Sequence, residues 1–134
     1  MDKLKNINVV AAVIISGNKF LATQRGHGEF KGLWEFPGGK IKPGEINEDA
    51  LKREILEELQ VEIKICDYIG TFQYEYSNFH LNMSCYLTEI IDGKITLIEH
   101  SDAKWLTISD IKKVEWLPAD LIVVERLIQK LKID

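Results

Sequence analysis

From Asn47 to Leu59 the chain runs without Gly or Pro, and its apolar residues recur at helical spacing. Leu51, Ile55 and Leu59 form an i, i+4, i+8 ridge with Leu56 beside it, which predicts an amphipathic helix that must bury one side. Glu48 and Asp49 fall in its first turn, where the helix dipole favours anions. Glu54, Glu57 and Glu58 share another side at i, i+3 and i+4, next to Arg53. Three adjacent carboxylates repel one another, so this face costs stability unless a cation offsets it. It is either a solvated acidic surface or a place where oxygen ligands hold a hard divalent cation.

The segment ahead of the helix favours the cation. The short hydrophobic stretch Leu33–Phe36 is broken by Pro37-Gly38-Gly39, and Pro43-Gly44 marks a second turn. Gly38 and Gly39 let the backbone approach an ion or phosphate closely and offer it carbonyl oxygens. Glu45 adds another carboxylate.

The remaining pattern predicts one mixed α/β domain over residues 1–134, with helices packed on a sheet. Val9–Ser16 is nearly all apolar and reads as a buried strand. Gly17-Asn18 turns it into a second strand, Lys19–Gln24. Gly26–Gly32 reads as a mobile loop. Val61–Tyr76 and Phe79–Ile91 read as strands, with turns at Ser77-Asn78 and Asp92-Gly93. Ser109–Lys113 reads as a short helix capped by Ser109. A last helix starts at Pro118, with Leu121, Val124, Leu127, Ile128 and Leu131 at helical spacing.

The spacing around the acidic helix is specific. Gly39, five residues, Glu45, seven residues, Arg53-Glu54-Ile55, one residue, then Glu57-Glu58 resembles the Nudix box. Six defined residue types arise by chance on the order of once in 10⁷ start points. Two positions depart from the family pattern: Gln60 stands where a helix-ending Gly is usual, and Ile46 where Ser or Thr often caps the helix, leaving Asn47 to cap it. The resemblance extends to Val9–Ala12, Gln24-Arg25, Gly32–Lys40, Trp105 and Leu117–Asp120, which look like the MutT-type branch. It implies a Nudix fold, a mixed sheet sandwiched between helices (α/β/α).

The same resemblance implies hydrolysis of nucleoside triphosphates to the monophosphate and pyrophosphate, with Mg²⁺ as cofactor and Mn²⁺ able to replace it. The branch includes enzymes for oxidised nucleotides such as 8-oxo-dGTP and others favouring cytidine nucleotides. Glu54, Glu57 and Glu58 are implied as metal ligands, helped by the Gly38 carbonyl. Arg53 is implied to orient the carboxylates, with Gly39 and Glu45 supporting the loop. Glu99, six residues before Trp105, matches the branch's distal glutamate. The resemblance implies that it binds metal or serves as general base, a role for which Glu54 is the other candidate. Arg25 and Lys40 are candidates for phosphate oxygens. Asp120 holds the position that contacts the base in the branch, where oxoguanine-preferring bacterial members often have Asn. An ionised Asp only accepts hydrogen bonds, so it suits donors on either guanine or cytosine; its alternative role is to cap the last helix. Phe79 stands near the point where oxoguanine-specific relatives carry Arg. Phe36 and Phe79 are candidates for stacking on a base or for the core.

Composition sets the outer bounds. A net charge of −4 leaves no footprint for a nucleic-acid polymer, while a small anionic substrate remains compatible once a metal inverts the local sign. Cys66 and Cys85 make neither a disulfide framework nor a zinc site and read as core residues. His27, His80 and His100 lack metal-ligand spacing and receive no role. No signal peptide or membrane span is visible, so the expectation is a cytoplasmic monomer or homodimer. Two other functions fit the box: hydrolysis of a dinucleoside polyphosphate or nucleotide sugar, against which the lack of a long insertion argues, and a non-catalytic nucleotide sensor, against which the intact acidic positions argue.

Overall fold

The structure, a computed structural model, describes residues 4–133, with side chains described as far as residue 130. Seven strands and two helices follow in the order β1 (Lys5–Ser16), β2 (Lys19–Gln24), β3 (Trp34–Glu35), β4 (Gly38–Lys40), α1 (Asn47–Leu59), β5 (Val61–Glu75), β6 (Phe79–Gly93), β7 (Asp102–Thr107) and α2 (Pro118–Ile133). A 3₁₀ turn at Ile111–Lys113 precedes α2. The strands lie in the order β3-β2-β1-β6-β5, with β4 also paired to β1 and β7 to β2. β1 and β6 run parallel, from Lys5 opposite Phe79 to Ile14 opposite Thr88, and the other pairings are antiparallel.

β1 carries the layered architecture. Val10–Ile14 are buried without interruption, as expected of a strand covered on both faces. Val10, Ala12 and Ile14 pack with Leu51, Ile55 and Leu59 of α1. Ala11 and Val13 face the other way, into a second core with Val123, Val124 and Leu127 of α2. The mixed sheet therefore lies between two helices, as the sequence led one to expect. Among the described residues no helix is long and apolar enough to cross a membrane.

Several local expectations are corrected. Asn47 does not cap α1: Ile46 holds the N-cap position without a side-chain bond, and the Asn47 amide donates to the Tyr86 hydroxyl at 3.3 Å. Gln60 does the work of the usual Gly, ending α1 at φ 58° with its N–H on the Leu56 carbonyl, at a steric cost of about 1–2 kcal/mol. The final helix buries Val123 rather than Leu121, which is exposed; the Leu131 side chain lies outside the described residues. Cys85 is in the core, but Cys66 is exposed on β5. Ser109 caps nothing; its hydroxyl meets that of Thr107 at 3.1 Å, and the 3₁₀ turn starts two residues later.

Two backbone bonds set up the site. Trp34 N–H donates to the Glu115 carbonyl at 2.9 Å, and Leu117 N–H to the Trp34 carbonyl at 2.8 Å. They bind β3 to the segment ahead of α2 and bring the first turn of α2 against Phe36.

Candidate active site

Arg53 is the hub of the acidic cluster on α1. Its Nε and Nη2 donate to the two oxygens of Glu45 at 2.8 and 3.0 Å. Nη1 reaches Glu54 at 2.8 Å and Glu57 at 3.3 Å, and Nη2 also donates to the Lys40 carbonyl at 3.0 Å. This fork geometry is the strong form of a charge-assisted hydrogen bond. The Arg53 contact, with help from the Lys42 N–H, pulls the Glu45 carboxyl down to about 2. Glu45 and Glu54 in turn hold the guanidinium charged.

The two glycines serve close approach, not unusual backbone angles. A Cβ on Gly38 would strike the Val10 carbonyl of the neighbouring strand, and one on Gly39 would strike the Glu54 carboxylate. β4 is thereby pressed between β1 and the acidic helix.

Glu58 differs from its neighbours. One of its oxygens, Oε2, is buried without a hydrogen-bond partner. Burial raises its carboxyl to about 7, with the other glutamates adding to the shift. Glu58 borders a cleft of about 440 Å³ that also gathers Arg25, Phe36, Gly38, Gly39, Lys40, Phe79, Glu99 and Asp120. Nine of the candidates read from sequence thus meet at one cleft. Arg53, Glu45, Glu54 and Glu57 form the adjoining cluster, with Glu54 against Gly39. Among the described residues no three His, Cys, Asp or Glu side chains converge into a finished metal site; Glu54 and Glu57 are drawn to Arg53 instead.

The cleft candidates are already engaged. Arg25 donates to Glu35 at 3.0 Å. Glu99 is largely exposed and lies 3.3 Å from His27. Phe36 is 3% exposed and packs on Trp116 with ring centroids 4.7 Å apart. Phe79 instead stacks on Tyr76 at 4.9 Å, on the more open aromatic surface. Among the cleft residues given no role from sequence are Glu35 and His100. A charge between two aromatics at Glu35, and a histidine directly after Glu99, were the available signals.

Asp120 does not cap α2. Its Oδ1 accepts the Phe36 N–H at 2.9 Å inside the core. Burial raises its carboxyl well above the ordinary value, and Glu35 adds to the effect. The ionised acceptor assumed from sequence is therefore the disfavoured form. A raised folded value gives stability that is full below the unfolded value, near 4, and is lost as pH climbs through the folded one. Asp120→Asn keeps the acceptor for Phe36 and removes that loss. It is expected to raise the unfolding midpoint by roughly 3 °C at pH 8 and to make no difference at pH 4. A gap independent of pH in thermal scans would contradict the buried neutral carboxyl.

With this geometry in place, comparison with known proteins is decisive. A family model for the NUDIX domain matches residues 5–127. The chain belongs to the Nudix family. It is 33% identical over 123 residues to the CTP pyrophosphohydrolase of Escherichia coli K12, covering 91% of each chain. It is 35% identical over 98 residues to the 8-oxo-dGTP diphosphatase of Proteus vulgaris, covering 72% of this chain and 87% of that one. The solution structure of the MutT protein, family Nudix hydrolase, of methicillin-resistant Staphylococcus aureus 252 superposes with a TM-score of 0.75 at 37% identity, covering 96% of this chain and 99% of that one. The Nudix box here spans β4, the Pro43-Gly44 turn and α1. Its donor set is all oxygen and includes the buried, unpartnered Glu58 Oε2, which fits a hard divalent cation.

Proposed function

We propose that this Nudix enzyme is a MutT-type nucleoside triphosphate pyrophosphohydrolase, working with Mg²⁺ or Mn²⁺ and releasing a monophosphate and pyrophosphate. One observation carries the reading: a glycine-backed glutamate cluster borders a cleft whose far lining is aromatic and holds the buried Asp120. Glu54, Glu57 and Glu58, with the Gly38 carbonyl, hold the cation, and Glu99 approaches from the opposite loop. When bound, the cation neutralises developing phosphate charge and acidifies water. Arg53 aligns the glutamates, and Glu45 and Gly39 keep the loop against them. Arg25 and Lys40 take phosphate oxygens. Glu54 or Glu99 receives the proton of the attacking water.

Phe79 offers a stacking face for the base, and Phe36 lines the same cleft. Burial favours the neutral form of Asp120, which offers a hydroxyl donor as well as an acceptor. That pair suits the N3/N4 edge of cytosine and the O6/N1 edge of guanine. The names of the two curated relatives support the same base classes.

The test is a panel of initial rates on canonical and oxidised triphosphates, dinucleoside polyphosphates and nucleotide sugars. The expected result is a kcat/KM about 10²-fold higher for the preferred triphosphate than for either larger class. Asp120→Asn is expected to change the ratio of CTP to 8-oxo-dGTP turnover about tenfold. Faster cleavage of a dinucleoside polyphosphate or a nucleotide sugar would overturn the substrate assignment. Tight nucleotide binding with no hydrolysis at saturating Mg²⁺ would make the protein a sensor.

A further inference from the structure

His100 stands one residue beyond Glu99, and its side chain is only 6% exposed. Its Nε2 lies 3.3 Å from Glu35 Oε2. A carboxylate only accepts, so this nitrogen carries a proton, and in the neutral imidazole the opposite one, Nδ1, is an acceptor. The other oxygen of Glu35 takes Arg25 Nε–H at 3.0 Å. Nδ1 is buried and has no partner. Among the described residues one other side-chain atom is in that condition, Glu58 Oε2, and both residues border the same cleft. With Glu58 ionised and His100 neutral, the two atoms are both acceptors and do not satisfy each other, and a buried acceptor left alone is costly.

The imidazole is also held in place. Ile98 N–H donates to the Glu58 carbonyl at 3.3 Å, and Ser101 N–H to the Gln24 carbonyl at 3.0 Å. The Glu99 carbonyl lies where a Cβ on Gly26 would have to be. The segment carrying His100 is thus clamped between the end of α1 and the end of β2. Of the nearby arginines, Arg53 is committed to the glutamates of the box, and Arg25 is tied through Nε to Glu35.

We infer that His100 is a positioning residue of the catalytic centre: anchored on Glu35, its Nδ1 and Glu58 Oε2 together grip one hydrogen-bond donor, a water of the divalent cation's hydration shell, and so fix the Glu58 carboxylate. The inference rests on the proposal that Glu58 faces the cation. Such a water has two strongly polarised O–H groups, one for each acceptor, and Mg²⁺ retains several waters when bound. Outer partners of this kind commonly change metal affinity or activity by 10- to 100-fold.

Two variants separate this role from simple bracing. His100→Gln keeps a donor for Glu35 and loses the acceptor at Nδ1. His100→Asn keeps an acceptor near Nδ1 and loses the Glu35 anchor. Calorimetric titration with Mn²⁺ alone, steady-state kinetics with Mg²⁺ and the unfolding midpoint are read for both variants and the wild type. His100→Gln is expected to unfold like the wild type, to bind Mn²⁺ about tenfold more weakly and to lose 10- to 100-fold in kcat with KM within about twofold. His100→Asn is expected to return kcat to within about threefold. The inverse pattern, with Gln like the wild type and Asn impaired, makes His100 a brace for Glu35 and overturns the inference. Weakened Mn²⁺ binding in His100→Gln, with no triphosphate hydrolysed even by the wild type, upholds His100 and overturns the proposed activity alone.

Discussion

Glu57→Gln is expected to lower kcat on the order of 10³-fold while the protein keeps its fold. Glu57 is exposed and its ion pair with Arg53, at 3.3 Å, is loose. An exposed pair of this kind contributes little to stability. Removing the charge also relieves repulsion from Glu54 and Glu58, so the unfolding midpoint should hold or rise slightly. The amide keeps the size of the side chain and forfeits the anionic oxygen a cation needs. Glu54→Gln should lose activity to a similar degree and some stability as well, because Glu54 is more buried and bonds Arg53 at 2.8 Å. Steady-state rates beside thermal scans check both. Wild-type turnover in both variants would remove these glutamates from the metal site.

Arg53→Ala is expected to damage fold and chemistry together. One guanidinium serves Glu45, Glu54, Glu57 and the Lys40 carbonyl. Its removal leaves Glu45 and Glu54, 17% and 15% exposed, as crowded anions without a counter-charge. The midpoint should fall on the order of 5–10 °C at pH 7, and kcat about 10²-fold as the carboxylates lose alignment. Arg53→Lys should recover little, since an ammonium cannot reproduce the fork. The pH dependence has a defined sign. Glu45 is held down at about 2, so its contribution is present above the ordinary carboxylate value and fades as pH drops toward 2. The midpoints of wild type and Arg53→Ala should therefore converge as pH falls from about 4.5, near the ordinary value. A constant gap in calorimetric scans over that range would contradict the hub role.

Much of this was legible because it depends on spacing. The ridge of Leu51, Ile55 and Leu59 and the acidic positions follow from helical geometry alone, and β1 shows its burial as an unbroken apolar run. The sandwich of helices on both faces of the sheet came from the family resemblance. What stayed hidden depends on contacts across the fold. Glu35 and His100 lie 65 residues apart in sequence and meet only when β3 and the Glu99 loop converge. Asp120 read as an ionised acceptor because nothing local reveals that Phe36, 84 residues away, draws it into the core. Gln60 shows the opposite limit: its side chain argued against a left-handed helix end, and packing imposed one.

The central claim is that this chain cleaves a triphosphate within the phosphate chain, through cation-binding glutamates of the box. ³¹P NMR of the products formed with Mg²⁺, from wild type and Glu57→Gln under identical conditions, tests it most directly. The account predicts nucleoside monophosphate and pyrophosphate in equal amounts from the wild type, and almost none from Glu57→Gln. Nucleoside diphosphate with inorganic phosphate, or undiminished product from the variant, would contradict it.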